Sequence, residues 1–456
     1  MGRSLKEGVK MKNLIIDCFA GGGGASVGIE MALGRTADIA INHDPKAIVM
    51  HKTNHPQTLH LTEDIFTVDL QKYVGDQHVA LMWASPDCRH FSKAGGKRPK
   101  SKSVRMLPWA VYKHAAAIKP DVIIMENVEE IQDWGPLDEN GVPIPEKKGE
   151  EYHQFVNKMI SLGYTFDSRE LVAADYGAPT TRKRWYAIFR CDGKPIIWPM
   201  PTHSPNGENS LKKWIPASSV INVQNYGKSI FERDKPLADK TLRRIARGMK
   251  KFVFETDKPF IVPAKNSGNN SALIGAFITK FYSCGTGQSL NEPLHTITTS
   301  AGHFGEVSIK MITASNILKS NIDEITKKKC SWVSQFIIEY YGCSDAVNVN
   351  MPLPTIVTKD RFVLVSVQGN EYVITDICLR MLTPEELKLC QGFPSDYIIN
   401  RDYNWNAYPK VEQVARIGNS VVPIMAKVLV EANCSHLKVG ERMPNLIFET
   451  QEAAFA

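Results

Sequence analysis

The chain has 456 residues, 43% hydrophobic and 23% charged, which is the composition of an ordinary globular protein and enough length for two or three domains. No apolar run is long enough to span a bilayer, and the polar start Met1-Gly2-Arg3-Ser4-Leu5-Lys6-Glu7 lacks a signal-peptide core, so a cytoplasmic protein without a membrane partner is expected. The nine cysteines are scattered without metal-site spacing, which points to reduced thiols and no metal, and the net charge of +7 is a mild bias toward polyanions.

From Asn13 the pattern alternates. Asn13 to Phe19 reads as a strand, followed by glycines and a helix from about Ala25 to Leu33. Asp38 to Asn42 is a second strand and Pro45 to Asn54 a second helix. His78 to Ala84 and Asp121 to Met125 are short buried strands, with one helix, Val104 to Ile118, between them. Asp133 to Gly149 is rich in Pro, Gly and charge and reads as a surface loop. A helix from Glu151 to Leu162 and strands near Tyr164 to Val172 and Arg184 to Arg190 complete the run. Alternation of this kind predicts an α/β fold with a doubly wound, mostly parallel sheet over residues 13–190.

From 191 to 373 short β-like runs are separated by Pro, Gly, Asn and Ser, as expected of an inserted β-rich domain. It holds a weak repeat: Tyr282, Cys284, Asn291, Pro293, Leu294, Thr296, Ile297 and Thr299 recur in constant register as Tyr341, Cys343, Asn350, Pro352, Leu353, Thr355, Ile356 and Thr358. Lys240, Arg243, Arg244, Arg247, Lys250 and Lys251 fall at helical spacing, so one helix face is basic, either a solvated face or a phosphate-contacting one. After Thr375 helical signals return, with a capping-box start at Thr383-Pro384-Glu385-Glu386 and a closing helix from Val422 to Ala432. Residues 374–436 are assigned to a segment that returns to the first domain, and 437–456 to a tail.

Four segments carry chemistry. Asp17-Cys18-Phe19-Ala20-Gly21-Gly22-Gly23-Gly24 joins a strand to a helix, so the backbone can approach a ligand at the helix N-terminus. An acidic residue about 20 positions on would take ribose hydroxyls, and Asp44, with Asn42 nearby, is so placed. A tight turn alone is the alternative. In Ser85-Pro86-Asp87-Cys88-Arg89-His90-Phe91-Ser92 a thiol follows directly on a buried strand, which suggests a nucleophile. Glu126-Asn127-Val128 ends another strand, where an open α/β sheet places its ligands. Glu126 suits acid/base work and equally a helix cap. Arg182 and Arg184 alternate into a strand and share a face, as a clamp for phosphate or a base carbonyl, or as a solvated strand edge.

In this order the segments resemble the DNA cytosine-5 methyltransferases. Asp17 to Gly24 resembles the first motif, Cys88 with Phe91-Ser92 the nucleophile motif, Glu126-Asn127-Val128 the motif supplying the base-binding carboxyl, and Arg182-x-Arg184 the paired arginines. Arg380-Met381-Leu382-Thr383-Pro384-Glu385-Glu386 with Gln391-Gly392-Phe393-Pro394 resembles the penultimate motif, and Gly418-Asn419-Ser420-Val421 the last. The resemblance covers roughly Asn13 to Arg190 and Asp376 to Ala432, and the intervening segment falls where the family keeps its target-recognition domain.

The resemblance implies that a cytosine is flipped from double-stranded DNA, that Cys88 attacks C6, that Glu126 holds the N3 edge and that Arg184, beside Arg182, meets O2. C5 then takes a methyl group from S-adenosylmethionine. Asp17, Phe19, Gly21, Gly23, Gly24, Asp64, Ile65, Asn419 and Ser420 would bind that cofactor, with Asn42 and Asp44 at its ribose. Arg89, Ser92 and Lys93 on the nucleophile loop, and Arg243, Arg244 and Arg247, would contact DNA. The resemblance further implies a monomeric, nucleoid-associated enzyme of bacterial or phage origin, with a cognate restriction enzyme as a candidate partner.

Three positions depart from the pattern. Asp87-Cys88-Arg89 stands for Pro-Cys-Gln, Thr180 for the usual Gln, and Asn42 for the ribose-binding Glu. The carboxylate of Asp87 disfavours a thiolate, and Arg89 or Lys93 is expected to offset it. Other readings are a different C5 modification with a variant cofactor, a transfer RNA substrate, or a DNA-binding protein with a dead catalytic domain. Intact Cys88, Glu126 and Arg184 argue against the last. A methyltransferase for exocyclic amino groups would need a polar-Pro-Pro-aromatic loop, which is absent.

Overall fold

The computed structural model describes residues 13–91, 100–265, 272–282, 285, 287–317, 324–341, 355–357 and 362–440. The chain divides into two compact units. The first comprises residues 1–214, 295–299 and 391–447, and the second 215–294, 300–390 and 448–456.

The first unit begins with β1 (Leu14–Cys18), α1 (Gly24–Leu33), β2 (Ile39–Ile41), α2 (Pro45–Asn54), β3 (Leu59–Leu61), α3 (Leu70–Val74) and β4 (Val79–Ala84). It continues with α4 (Lys102–Arg105), α5 (Leu107–Ile118), β5 (Val122–Asn127), α6 (Glu150–Ser161), β6 (Thr165–Val172) and β7 (Lys183–Arg190). The seven strands form one sheet in the order β3-β2-β1-β4-β5-β7-β6. β1 to β5 pair in parallel, while β7 is antiparallel to both its neighbours, so it alone runs the other way. This is the α/β fold with a mostly parallel sheet that the alternating pattern predicts.

Period-two alternation sends successive side chains of each strand to opposite faces. Ile16, Met82 and Ile123 join one core with Val111 of α5 and Phe155 of α6. Ile15, Leu81 and Ile124 join the other with Ile29 of α1. Both faces are therefore apolar, which is why these strands read as continuous hydrophobic runs. Two elements differ from expectation. The predicted helix Val104 to Ile118 is two helices, α4 and α5, because Pro108 occupies the first turn of α5 and restarts the chain after Met106. β3 and α3 are additional to the predicted elements, being too short to give a periodic signal.

A two-stranded ribbon, β8 (His203–Ser204) and β9 (Lys212–Lys213), ends this stretch of the first unit. The second unit holds β10 (Lys228–Ser229), α7 (Asp239–Met249), β11 (Ile261–Pro263), β12 (Ala272–Lys280), β13 (Gln288–Ser289) and β14 (Phe304–Thr313). It continues with α8 (Ala314–Ile317), α9 (Glu324–Tyr341), β15 (Thr355–Val357), β16 (Phe362–Val367), β17 (Asn370–Met381) and α10 (Pro384–Cys390). Its eight strands pair antiparallel around the path β11-β12-β14-β17-β16-β15, and Ile245 of α7 and Phe336 of α9 pack with Val307 and Ile374 of the sheet. The segment after Thr375 is strand through Met381 rather than helix, since Tyr372 to Leu379 packs into this sheet. Of the repeat, Cys284, Cys343, Asn350, Pro352, Leu353 and Thr358 lie outside the described residues. The capping box is present: Glu386 N donates to Thr383 Oγ1 at 3.2 Å, and Thr383 N donates back to Glu386 Oε2 at 2.9 Å.

The chain returns to the first unit with α11 (Lys410–Asn419) and α12 (Pro423–Cys434). Leu429 and Val430 of α12 pack with Ile29 and Leu33 of α1. Gly28 permits this contact, since a Cβ there would lie 2.3 Å from the Pro423 carbonyl oxygen. Among the described residues no helix is long and apolar enough to cross a membrane.

Candidate active site

The carboxyl ends of β1, β4 and β5 carry three of the four motif segments, as the fold requires of an open parallel sheet. The glycine loop follows β1, the Cys88 loop follows β4, and Glu126 and Asn127 close β5.

Glu126 and Arg184 face each other. Glu126 pairs across the ladder with Tyr186, so Arg184, two residues along β7 on the same face, is its diagonal neighbour. Arg184 Nε lies 3.2 Å from Glu126 Oε1, and both side chains are largely buried. β7 lies between β5 and β6, so these arginines are not on a solvated edge. Arg182 is buried and donates from Nη1 to the Gly418 carbonyl at 3.2 Å. Burial, with the like charge of Arg184, pulls its guanidinium down to about 10, so it stays charged at neutral pH. Lys183 points the other way, where Glu129 holds it at 2.7 Å and Glu170 on the neighbouring strand binds it too. Thr180 Oγ1 accepts from Arg182 N at 3.3 Å, which fixes the turn entering the pair.

Cys88 is partly buried. Burial pushes its thiol up, Arg184 and Arg182 oppose, and Glu126 and Asp87 add to the rise. The departures flanking it answer each other. Arg89 Nε donates to Asp87 Oδ2 at 2.7 Å, and Arg89 N donates to Asp87 Oδ1 at 2.9 Å. The guanidinium thus lies on the carboxylate that would otherwise disfavour a thiolate. Ser92 and Lys93 lie outside the described residues.

What holds this loop carries little signal in the sequence. Asn127 Nδ2 donates to the Pro86 carbonyl at 3.0 Å, tying β5 to the loop two residues before the thiol. Arg105 donates to the carbonyls of His90 at 3.1 Å and Gly135 at 2.8 Å, and lies over the Phe91 ring. Asn127 stands inside the Glu-Asn-Val motif, which could have drawn attention to it; Arg105 has no sequence signal at all.

Beside these residues a cleft holding about 290 Å³ of open space is lined by Asp17, Phe19, Gly21, Gly24, Ala25, Ser85, Asn419 and Ser420. Phe19 sits at φ 64°, left-handed backbone that costs a non-glycine residue about 1–2 kcal/mol. Gly24 is required: a Cβ there would meet the Val421 carbonyl oxygen at 2.0 Å and Ser420 Oγ at 2.3 Å. Ser420 Oγ instead accepts from Gly24 N at 3.0 Å, while Gln391 Nε2 donates to the Ser420 carbonyl at 3.0 Å. Asn419 is exposed at the cleft.

The remaining candidates are engaged locally. Asn42 donates to the Ala20 carbonyl at 2.9 Å and accepts from Asp44 N at 2.8 Å, so its amide braces the glycine loop. Asp44 caps α2 through Lys46 N and pairs with Arg416 Nη1 at 2.7 Å. Asp64 is exposed and accepts from Phe66 N, and Ile65 packs into the core. Arg243 and Arg247 are exposed on α7, with Arg243 held by Asp239 at 2.7 Å, while Arg244 lies over the Phe281 ring.

The sequence matches the model for C-5 cytosine-specific DNA methylases over residues 14–434. The chain belongs to this family. Its relatives include the type II methyltransferase M.AgeI of Thalassovita gelatinovora, 31% identical over 201 residues, which is 43% of this chain and 43% of that one. M.AquIA of Picosynechococcus is 27% identical over 210 residues, 43% of this chain and 80% of that one. The matched stretch thus spans less than half the length of M.AgeI. The S. pombe Dnmt2 methyltransferase structure aligns at a TM-score of 0.48 with 13% identity, over 92% of this chain and 99% of that one. A DNA methylase of this family uses a methyl donor.

Proposed function

We propose that this protein is a DNA cytosine-5 methyltransferase that takes its methyl group from S-adenosylmethionine. The observation that carries the reading is the meeting of Cys88, Glu126 and Arg184 at the carboxyl edge of the sheet, within electrostatic reach of one another.

The chemistry explains the set. Cytosine C5 is a poor nucleophile until a thiolate adds at C6, so a thiol is needed rather than a base alone. A flipped cytosine offers N3 and O2 on one edge. The Glu126 carboxyl suits N3 and the Arg184 guanidinium suits O2, and their ion pair pre-arranges both before the base arrives. Arg182 adds positive charge behind them. Loss of the C5 proton then lets Cys88 leave.

The cleft fits the cofactor on chemical grounds. The Asp17 carboxylate suits a cationic ligand, Phe19 is held in a strained turn beside it, and Gly21 leaves open space where any other residue would project. The cofactor, when bound, supplies a methyl group on a sulfonium. Asp17, Phe19, Gly21, Gly24, Asn419 and Ser420 would hold it.

The substrate in this reading is double-stranded DNA in the cytoplasm. The second unit, with exposed Lys240, Arg243, Arg247 and Lys251 at helical spacing along and just beyond α7, would be the DNA-reading part. A type II restriction partner is consistent with what the named relatives are. DNA carrying 5-fluorocytosine tests the covalent step, because fluorine at C5 cannot leave as a proton does. Wild-type protein with S-adenosylmethionine is expected to form an adduct that survives denaturation, and Cys88→Ala none. An adduct in the variant, or none in either, would sink the assignment.

A further inference from the structure

Beneath the glycine loop lies a row of polar side chains for which methyl transfer has no stated use. Asp17 Oδ2 accepts a hydrogen bond from Ser26 Oγ at 2.8 Å, and both residues are buried. A serine hydroxyl has one proton, and here it is given to Asp17. Toward its next neighbour the Ser26 oxygen can only accept. That neighbour is His51 Nε2 at 3.0 Å, so His51 carries a hydrogen on Nε2. His51 Nδ1 in turn meets His60 Nε2 at 2.9 Å. Burial, aided by His51 and Lys52, holds His60 down to about 4, so it is a neutral ring at neutral pH. The His55 ring packs against His51 at 4.7 Å.

The row therefore runs from β3 through α2 and α1 to β1, with every hydrogen-bond direction from His51 to Asp17 fixed. Well-packed apolar groups of similar volume often hold a core as well as buried polar ones do. What marks this row is its end point, since Asp17 lines the cleft beside Phe19 and Asn419. We propose that His51 is a positioning residue for the cofactor: acting through Ser26, it fixes the Asp17 carboxylate where it meets the cationic part of S-adenosylmethionine. This rests on the cofactor reading of that cleft. A carboxylate locked by packing and hydrogen bonds loses no rotamer freedom when the ligand arrives, which is the gain from pre-organisation.

The test is titration calorimetry of the full chain with S-adenosylmethionine, without DNA, alongside nitrogen-15 NMR of the histidine rings. His51→Leu is expected to weaken binding roughly tenfold or more, the scale of a hydrogen bond feeding a charged group. His51→Gln, which keeps a side-chain N–H, recovers most of the affinity. Ser26→Ala matches His51→Leu, and the double variant is no weaker than either, because the two act in series. NMR of the wild type shows His51 protonated at Nε2. Wild-type affinity in both His51→Leu and Ser26→Ala overturns the proposal, as does full additivity in the double variant or a proton on Nδ1 alone. If His51→Leu does not fold, Ser26→Ala and the tautomer decide. A wild type that fails to bind S-adenosylmethionine brings down the cofactor reading itself, whereas binding that survives every variant brings down only the role of His51.

Discussion

Cys88 sits among charges of opposed effect, and their balance sets when it can react. Burial leads, pushing the thiol up, with Arg184 and Arg182 pulling the other way and Glu126 and Asp87 adding to the rise. The resting protein therefore holds a thiol at neutral pH, and its proton must leave as the base enters. Alkylation of Cys88 by iodoacetamide is expected to be slow at neutral pH and to climb steeply into the alkaline range. Arg184→Gln removes the largest opposing charge and is expected to slow alkylation further at any given pH. Faster alkylation in that variant would mean that the arginine shields the thiol rather than favouring its ionised form. Arg89→Ala is expected to act in the same direction by releasing the Asp87 carboxylate, which it now holds at 2.7 Å.

At the scale of elements, each unit holds one tightly constrained contact. The first turn of α1 lies against Ser420 and Val421 so closely that no side chain fits at position 24. Gly24→Ala is expected to lower the thermal midpoint by several degrees and to weaken S-adenosylmethionine binding, read together by thermal shift with and without cofactor. In the second unit, Arg380 lies between two buried carboxylates. It binds Glu386 at 2.8 Å through two hydrogen bonds and also contacts Glu306. Burial pushes Glu306 up to about 7, against the pull of Arg380, while Arg380 and the Thr383 backbone hold Glu386 below the usual range against its own burial. Arg380 thus contacts both carboxylates but lowers only Glu386, and Glu306 keeps its proton only below about 7. The unfolded chain releases that proton near 4.5 and the folded one near 7, so the stability it contributes is full below the lower value and lost as pH rises through the upper. Glu306→Gln, which cannot ionise, is expected to flatten the fall in thermal midpoint across that window; an unchanged fall would assign it to other groups.

Much of this is legible in the sequence for a physical reason. Parallel strands buried on both faces announce themselves as apolar runs, and the glycine loop, Cys88 and Glu126 each stand at the end of one. What the sequence hides is tertiary. Asn127 and Arg105 act through backbone carbonyls at 3.0 Å and 2.8 Å, and no periodicity encodes a hydrogen bond to a distant carbonyl. Asn42 and Asp44 stand at the spacing of ribose ligands, and the spacing does not reveal that the one also braces the glycine loop and the other caps α2. The end of β17 reads as returning helix because its pairing partner, β14, lies about 70 residues upstream, beyond the reach of any local pattern.

In the proposed function one chain both modifies and reads DNA. If α7 contacts phosphate, neutralising Arg243, Arg244 and Arg247 together is expected to weaken binding alike on all sequences and to reduce the salt slope by roughly one for each phosphate left without its cation. An unchanged slope would remove that helix from the interface. Nuclease digestion and mass spectrometry of DNA from cells expressing the protein, with Cys88→Ala as control, test cytosine methylation by this protein most directly. New 5-methylcytosine that disappears in the variant is expected. 5-Methylcytosine that persists in the variant, or none at all from a folded wild type, would contradict the assignment.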